Sequence, residues 1–473
     1  MLQDFRQKEK TGGPENHRGK MRLEVIAITW PAFIELVLST LFGMVDMIMV
    51  GQLSPAAIAA VGITNQPFML LLAVFAAVNV GTTTLVAWNI GANNIEKASS
   101  VTRQVLVVNA VLGILTSLVG ILSAHYVVTF MGAEAEAFDD AVAYFRIVCG
   151  GLLFQGVCMG VTASLRGAGQ TKLPMYYNLG ANLFNVFGNY VLIYGKLGFP
   201  QLGVSGAAIS TTVSRFLACA VGLCIVRFSK NLAVSIRDKG KYKLDMEIIK
   251  RVFSIGLPAA FEQCVLQSGL TLFAKTVSGL GTADFAAHQI GLNISGLTFS
   301  PSMAFGVAST TLVGQSLGAN DAEKARKYAD IVHHMAICVA CFIGSIYILF
   351  SHHIARLYTQ DPMVAVMAGT ILKILALSQP GQSTQLSISG ALRGAGDTMY
   401  PLYASIFGIW GFRVIIAHIF VNIFKWGLVG AWLSLALDQY TRATVVFLRF
   451  RTGKWKCTKA RSIGMAGTIK GQA

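Results

Sequence analysis

A sixteen-residue stretch of this chain is spelled twice. Thr83 to Ala98 reads TTLVAWNIGANNIEKA and Thr310 to Ala325 reads TTLVGQSLGANDAEKA, with ten identical positions at an offset of 227 residues. The same offset relates PAFIE (Pro31 to Glu35) to PAAFE (Pro258 to Glu262), and LRGAGQTKLP (Leu165 to Pro174) to LRGAGDTMYP (Leu392 to Pro401). One spacing that holds over about 140 residues without a gap marks an internal duplication. The unit is far too long for a solenoid repeat, so the chain is expected to fold as two homologous halves.

Hydropathy decides the medium. The chain is 54% hydrophobic and 13% charged, with a mean hydropathy of +0.59, where a soluble domain carries about 25% charge. Apolar runs of about 18 residues or more recur along it, each long enough to cross hydrocarbon as a helix. They fall at 24–50, 57–88, 101–124, 138–165, 173–195 and 203–227, then at 251–278, 285–315, 329–350, 362–392, 399–424 and 427–449. This predicts an all-α, polytopic membrane protein with twelve transmembrane helices in two six-helix bundles. Six is even, so both halves enter the membrane from one side. They are parallel repeats about a pseudo-two-fold axis along the membrane normal, with a cleft between them. The expected layout is a tail (1–21), an N-lobe (22–227), a basic linker (228–250), a C-lobe (251–450) and a second tail (451–473). The first twenty residues are polar, so no cleaved signal peptide is expected.

The net charge of +16 invites a nucleic-acid reading, and its distribution excludes one. Lys and Arg outside the spans crowd into the termini and the even-numbered loops. Only Lys196, Arg356 and Lys425 fall on the other side, where a loop carries Glu134, Glu136, Asp139 and Asp140. By the positive-inside rule both termini and the linker, with Arg237, Lys239, Lys241 and Lys243, are cytoplasmic. An inner-membrane, multi-pass location follows, with the bilayer as a partner and no nucleic acid. Seven of the eight Cys lie inside apolar spans with no metal-ligand spacing, and read as small, reduced packing residues. No phosphate-binding glycine loop, nucleophile elbow or metal-hydrolase motif is present, so neither an enzyme nor an ATP-driven pump is expected.

Charged residues inside apolar helices cost at least about 2.5 kcal/mol each and mark function by default. The acidic ones are Glu35, Asp46, Glu262 and Asp438; the basic ones are Arg146, Arg215, Lys275, Lys373, Arg413 and Arg442. Glu35 and Glu262 are equivalent under the duplication, near mid-membrane, and are candidates to face the cleft. Asp46 has no twin, its counterpart being Phe273; an unpaired carboxylate there suits reversible protonation. Lys275 is at a similar depth and could neutralise it. Asp438 and Arg442 have the i, i+4 spacing of a helical ion pair, and Arg146 reads as an interfacial anchor. Span five places Asn182, Asn185 and Asn189 on one face, and span six adds Ser210, Thr211 and Thr212. Arg166 and Arg393 are expected in the cytosol at the ends of spans four and ten. Gly91 and Gly318 read as left-handed helix caps, with Asn93 and Asn320 starting a short following helix.

Five features together resemble the multidrug and toxic compound extrusion (MATE) family, between its NorM-like and DinF-like subgroups. They are PAFIE with Asp46 in MVDMIMVGQL, the paired GAN-x-x-EKA segments, the paired LRGAG-x-T segments, NVFGNYVLIYGKLG, and the ending RFRTGKW after Asp438. The likeness covers about residues 22–456. It implies a twelve-helix secondary antiporter that exports organic cations or other amphipathic, drug-like compounds in exchange for H⁺ or Na⁺, with no bound cofactor, as a monomer. It also implies an N-lobe cation site of Asp46, Asn185, Asn189 and Thr211, where some members carry Asp at the place of Asn189. Glu262 matches the span-seven Glu of NorM-type members, and Gln382 stands where those members have an Asp on span ten. Glu35 is the remaining cleft candidate. The rival readings are a lipid-linked precursor flippase of the wider superfamily and a membrane-embedded enzyme or channel.

Overall fold

The structure, a computed structural model, describes residues 14–229, 232–236 and 244–457. Twelve spans follow in order. The first half contains α1 (Pro14–Gly51), α2 (Pro55–Gly91), α3 (Ile95–Phe130), α4 (Ala135–Gly150 and Leu152–Gly167), α5 (Lys172–Tyr194) and α6 (Gly203–Phe228). The second contains α7 (Met246–Ser278), α8 (Thr282–Gly318), α9 (Ala322–Tyr358), α10 (Pro362–Gly394), α11 (Met399–Ile406, continuing as π-helix through Phe407–Ile416 and Ile419–Ile423) and α12 (Gly427–Arg451). The two segments of α4 meet at 44°. Seven helices are long and apolar enough to cross a membrane by composition alone, eight with bent α4 taken as one span. Spans α5, α7, α8 and α12 fall short of that test. Part of the reason is that they carry polar groups discussed below, among them the asparagines of α5, Glu262, and the Asp438–Arg442 pair.

The helices run past the apolar stretches that announce them. The first begins at Pro14, inside the expected tail, and α7 begins at Met246, inside the expected linker. Residues just after α12 are packed rather than trailing: Trp455 is fully buried, stacks on Phe450 at 5.2 Å, and donates from Nε1 to the Phe450 carbonyl at 2.9 Å. The linker cations from Arg237 to Lys243 lie outside the described residues. Of the seven described cysteines only Cys149, Cys158 and Cys219 are buried, and all seven are free. A protein in lipid can leave an apolar thiol on its outer face, which the expectation of packing residues did not allow for.

The lobes are stitched together at the end where α2 and α8 finish, by four hydrogen bonds that occur as two duplicated pairs. Trp88 Nε1 donates to Gly394 O at 2.8 Å, and its twin Gln315 donates from Nε2 to Gly167 O at 3.0 Å. Thr84 Oγ1 donates to Arg393 O at 2.9 Å, and its twin Thr311 donates to Arg166 O, also at 2.9 Å. The acceptors are all helix-terminal carbonyls; Arg166 O and Arg393 O also accept from Gly169 N and Gly396 N at 2.9 Å, so the threonines supply them with a second bond. Gly91 and Gly318 exist for this seam. A Cβ on Gly91 would lie 1.9 Å from Gln315 O, and one on Gly318 would lie 2.2 Å from Trp88 O.

These glycines are therefore not the left-handed caps expected from sequence. That conformation falls on Asn93 (φ 58°) and Asn320 (φ 61°), residues whose short polar side chains tolerate it. The N-caps are one residue later than expected: Asn94 accepts from Lys97 N at 3.1 Å and Asp321 from Lys324 N at 2.8 Å. What they cap is no short helix but the spans α3 and α9.

Candidate functional site

Above the stitched end a cavity of ≈ 580 Å³ lies between the lobes. Its wall is amphipathic. Phe42, Met159, Met303 and Leu386 offer apolar surface, while Asn79, Gln155 and Gln263 offer amides. Both lobes contribute to the wall, so any molecule held there touches both.

On the N-lobe wall, α1, α5 and α6 converge. Gly188 allows the approach of α6, since a Cβ there would meet Ser210 Oγ at 2.5 Å. Asn189 donates from Nδ2 to Asp46 Oδ1. Asn185 donates from Nδ2 to Ser210 Oγ and Thr211 Oγ1, each at 3.3 Å, and Ser210 returns a bond to Asn185 O at 2.8 Å. The structure thus brings Asp46, Asn185, Asn189 and Thr211 into one cluster, and three of them (Asp46, Asn185 and Thr211) line the cavity beside Asn182. Asn189 keeps its Oδ1 buried and without a partner. Lys275 is not part of this cluster. It is exposed on α7 and makes no ion pair with Asp46, so the expected neutralisation does not occur.

Glu35 and Glu262 are placed otherwise than a free carboxylate in a cleft would be. Glu35 pairs with Arg166 at 2.9 Å and accepts from Asn178 Nδ2 at 2.7 Å. Glu262 pairs with Arg393 at 2.6 Å and accepts from Ser405 Oγ at 3.2 Å. Glu35, Arg166 and Asn178 become Glu262, Arg393 and Ser405 on adding the repeat offset, so this is one ion-pair motif built twice. The arginines expected in the cytosol are drawn inward because a buried carboxylate without a counter-charge is far more costly than a desolvated pair. Glu35, Arg166 and Arg393 line the cavity, whereas Glu262 is almost wholly buried behind it. Gln382 is buried on α10, away from the cavity lining, and no hydrogen bond joins it to Glu262.

In the C-lobe, Asp438 does pair with Arg442, at 2.9 Å, but Arg413 also reaches the same carboxylate, at 2.5 Å. Arg413 comes from the π-helical part of α11, and sequence spacing gave no sign of it. The other arginines could have been found. Both members of the Glu35–Arg166 pair recur at the repeat offset, and a charge kept in both halves of a duplication is a candidate partner for another kept charge.

Among the described residues no group of three His, Cys, Asp or Glu could hold a metal ion. Two parallel, pseudo-symmetric helix bundles around a shared cavity, with one uncommitted carboxylate in its wall, describe a membrane transporter, not an enzyme. The comparisons agree. The MatE family model matches residues 31–191 and again 258–419, once in each half, and the chain belongs to this family of multi-pass membrane transporters.

The chain is 32% identical to the "Probable multidrug resistance protein NorM" of Thermotoga maritima over 443 residues, which are 94% of this chain and 95% of that protein. It is 27% identical to the "Multidrug resistance protein PmpM" of Pseudomonas aeruginosa, covering 90% of each. Among solved structures, the outward-facing conformation of a multidrug resistance MATE family transporter of the MOP superfamily superposes with a TM-score of 0.87 at 24% identity, over 96% of this chain and 100% of that one. A MOP superfamily transporter from Pyrococcus furiosus superposes with a TM-score of 0.86 at 25% identity, again over 96% and 100%.

Proposed function

We propose that this chain exports drug-like, amphipathic organic cations by alternating access, in exchange for a coupling ion that binds at Asp46. In this reading it acts as a monomer in the inner membrane with both termini in the cytoplasm. The four stitching hydrogen bonds then lie at the cytoplasmic end, and the cavity belongs to the outward-facing state. The names of the NorM and PmpM relatives support the substrate class. The observation that carries the mechanism is Asp46 itself. Of the carboxylates in and around the cavity wall, Glu35 and Glu262 are locked in ion pairs with arginines, while Asp46 makes no ion pair: it accepts an amide hydrogen bond and interacts with Arg215 only through space.

Protons are the favoured coupling ion. Na⁺ calls for several oxygens and a net negative cage, and Asp46 is the one charged member of its cluster. Protonation needs only the carboxylate and a partner that can follow it. Asn189 now donates to Asp46, as suits an ionised acid. Turning its amide over would present the unpartnered Oδ1 to the acid proton, so one side chain can serve both states. Drug and proton then compete for one negative charge, and a two-state protein converts that competition into exchange.

The test is drug efflux from everted vesicles under a pH gradient at fixed Na⁺, with wild type and Asp46→Asn. The variant should insert normally and lose gradient-driven efflux. Full proton-driven efflux by the variant removes Asp46 from the mechanism, and loss of wild-type efflux on withdrawing Na⁺ alone reverses the choice of ion.

A further inference from the structure

Three guanidiniums line the cavity: Arg166, Arg393 and Arg215. The first two are neutralised by Glu35 and Glu262. Arg215 makes no ion pair. Its guanidinium lies over the ring of Phe68, 4.8 Å from the centroid, and its Nη1 is buried with no hydrogen-bond partner. Asp46 lines the same cavity but spends its bond on Asn189. The arginine projects from one cavity-facing stripe of α6, which also carries Thr211, Ser214 and Ala218.

The duplication supplies an internal template for what such an arginine binds. Adding 227 to Arg215 gives Arg442, and adding it to Thr211 gives Asp438. In the C-lobe the arginine therefore has a carboxylate one helical turn before it, held at 2.9 Å. In the N-lobe that position is a threonine, and the arginine lines the cavity with its Nη1 unpartnered; Asp46 acts on it through space without bonding to it. We infer that Arg215 is a binding residue for an oxyanion, such as a carboxylate, carried by the transported molecule. The transported molecule takes the place against Arg215 that Asp438 occupies against Arg442. Resting on the drug-export reading, this deepens it. The cavity wall thus holds one carboxylate and one guanidinium outside any ion pair, Asp46 and Arg215, and so selects amphiphiles that carry an anionic group beside their cationic one.

Rhodamine B and its ethyl ester isolate the point, because they share one xanthylium cation and differ in a free or masked carboxylate. Their affinities are to be measured by fluorescence polarisation on the purified full-length chain in nanodiscs. The wild type should bind the free acid about tenfold more tightly than the ester or better, as a charge-assisted hydrogen bond to an arginine warrants. Arg215→Gln should lower affinity for the acid to that for the ester and leave the ester unchanged, and Arg215→Lys should restore part of the preference. Thr211→Asp, which recreates the C-lobe pair, should also abolish it. An acid preference that survives in Arg215→Gln overturns the assignment, as does a wild type that binds both dyes equally. So does an Arg215→Gln variant that loses both dyes alike, which would make the arginine structural. A wild type that binds neither dye overturns the drug-export reading itself, and this inference with it.

Discussion

Gly91→Ala should open the stitched end of the transporter. A Cβ at that position would stand 1.9 Å from Gln315 O, and its twin Gly318 leaves 2.2 Å to Trp88 O. Both obstacles are main-chain atoms of a helix, which cannot swing aside as a long side chain would. Relief to at least 3.0 Å, the closest approach that real Cβ atoms make, requires α2 and α8 to part by about 1 Å. The hydrogen bonds from Trp88 Nε1 at 2.8 Å and Gln315 Nε2 at 3.0 Å lie beside this contact and would stretch past their useful range. At about 1 kcal/mol net for each of the two bonds, with overpacking adding about 1–3 kcal/mol, the closed state loses roughly 3–5 kcal/mol. Alanine's preference over glycine in a helix, about 0.5–1 kcal/mol, stabilises both states alike and leaves the ratio between them untouched. That loss shifts the closed-to-open ratio by about two to four orders of magnitude. Spin labels at Ala92 and Ala319, twin exposed residues beyond the two glycines, report the separation by pulsed electron resonance. Wild type should give a single short distance, and Gly91→Ala or Gly318→Ala a longer population. An unchanged distance distribution with raised thermal stability would refute the reasoning, since only the propensity term would then remain.

Other outcomes follow from contacts already described. Arg393→Ala strands Glu262 in the interior and should cost about 3–5 kcal/mol, lowering the thermal midpoint in detergent, while Arg393→Gln with Glu262→Gln should recover most of it; equal midpoints for single and double variants would deny the pairing. Trp455→Ala removes a fully buried ring stacked on Phe450 and should destabilise by about 3–5 kcal/mol, read in the same assay, whereas a truly loose tail would show no change. Glu136→Cys in a Cys-free background should react with an impermeant maleimide from outside intact cells and Lys239→Cys should not; the reverse pattern would turn the protein over in the membrane.

The architecture was readable in the sequence because two signals were redundant. Twelve apolar runs and a constant repeat offset each led to two six-helix halves, so errors at individual boundaries did no harm. The Asp46, Asn185, Asn189 and Thr211 cluster was reached through family resemblance together with the one-face spacing of the asparagines on α5. What stayed hidden depended on partners remote in the chain. Glycine at 91 looked like a cap because caps are local, whereas its reason is a carbonyl on another lobe. Arg166 at the end of an apolar run looked cytosolic because hydropathy cannot see Glu35, which is 131 residues earlier. Arg413 reaches Asp438 from a stretch of α11 that is underwound into a π-helix, and no residue pattern announces that.

The seam between the lobes has the logic of a symmetric homodimer interface: whatever group one side offers, the other offers in return. Trp88 and Gln315 differ in kind, yet each spends its side-chain donor on the corresponding carbonyl of the opposite lobe. Such an interface needs no covalent connection to form. If the chain were cut within the linker and its halves produced as separate polypeptides, the pieces would still carry complementary surfaces and could assemble side by side. Each half alone would have an uncovered amphipathic cleft face and two ungripped helix ends. Being parts of one chain, the two halves need not stay alike: one has Asp46 outside any ion pair, with Phe273 at the equivalent place, while the other closes Asp438 between two arginines.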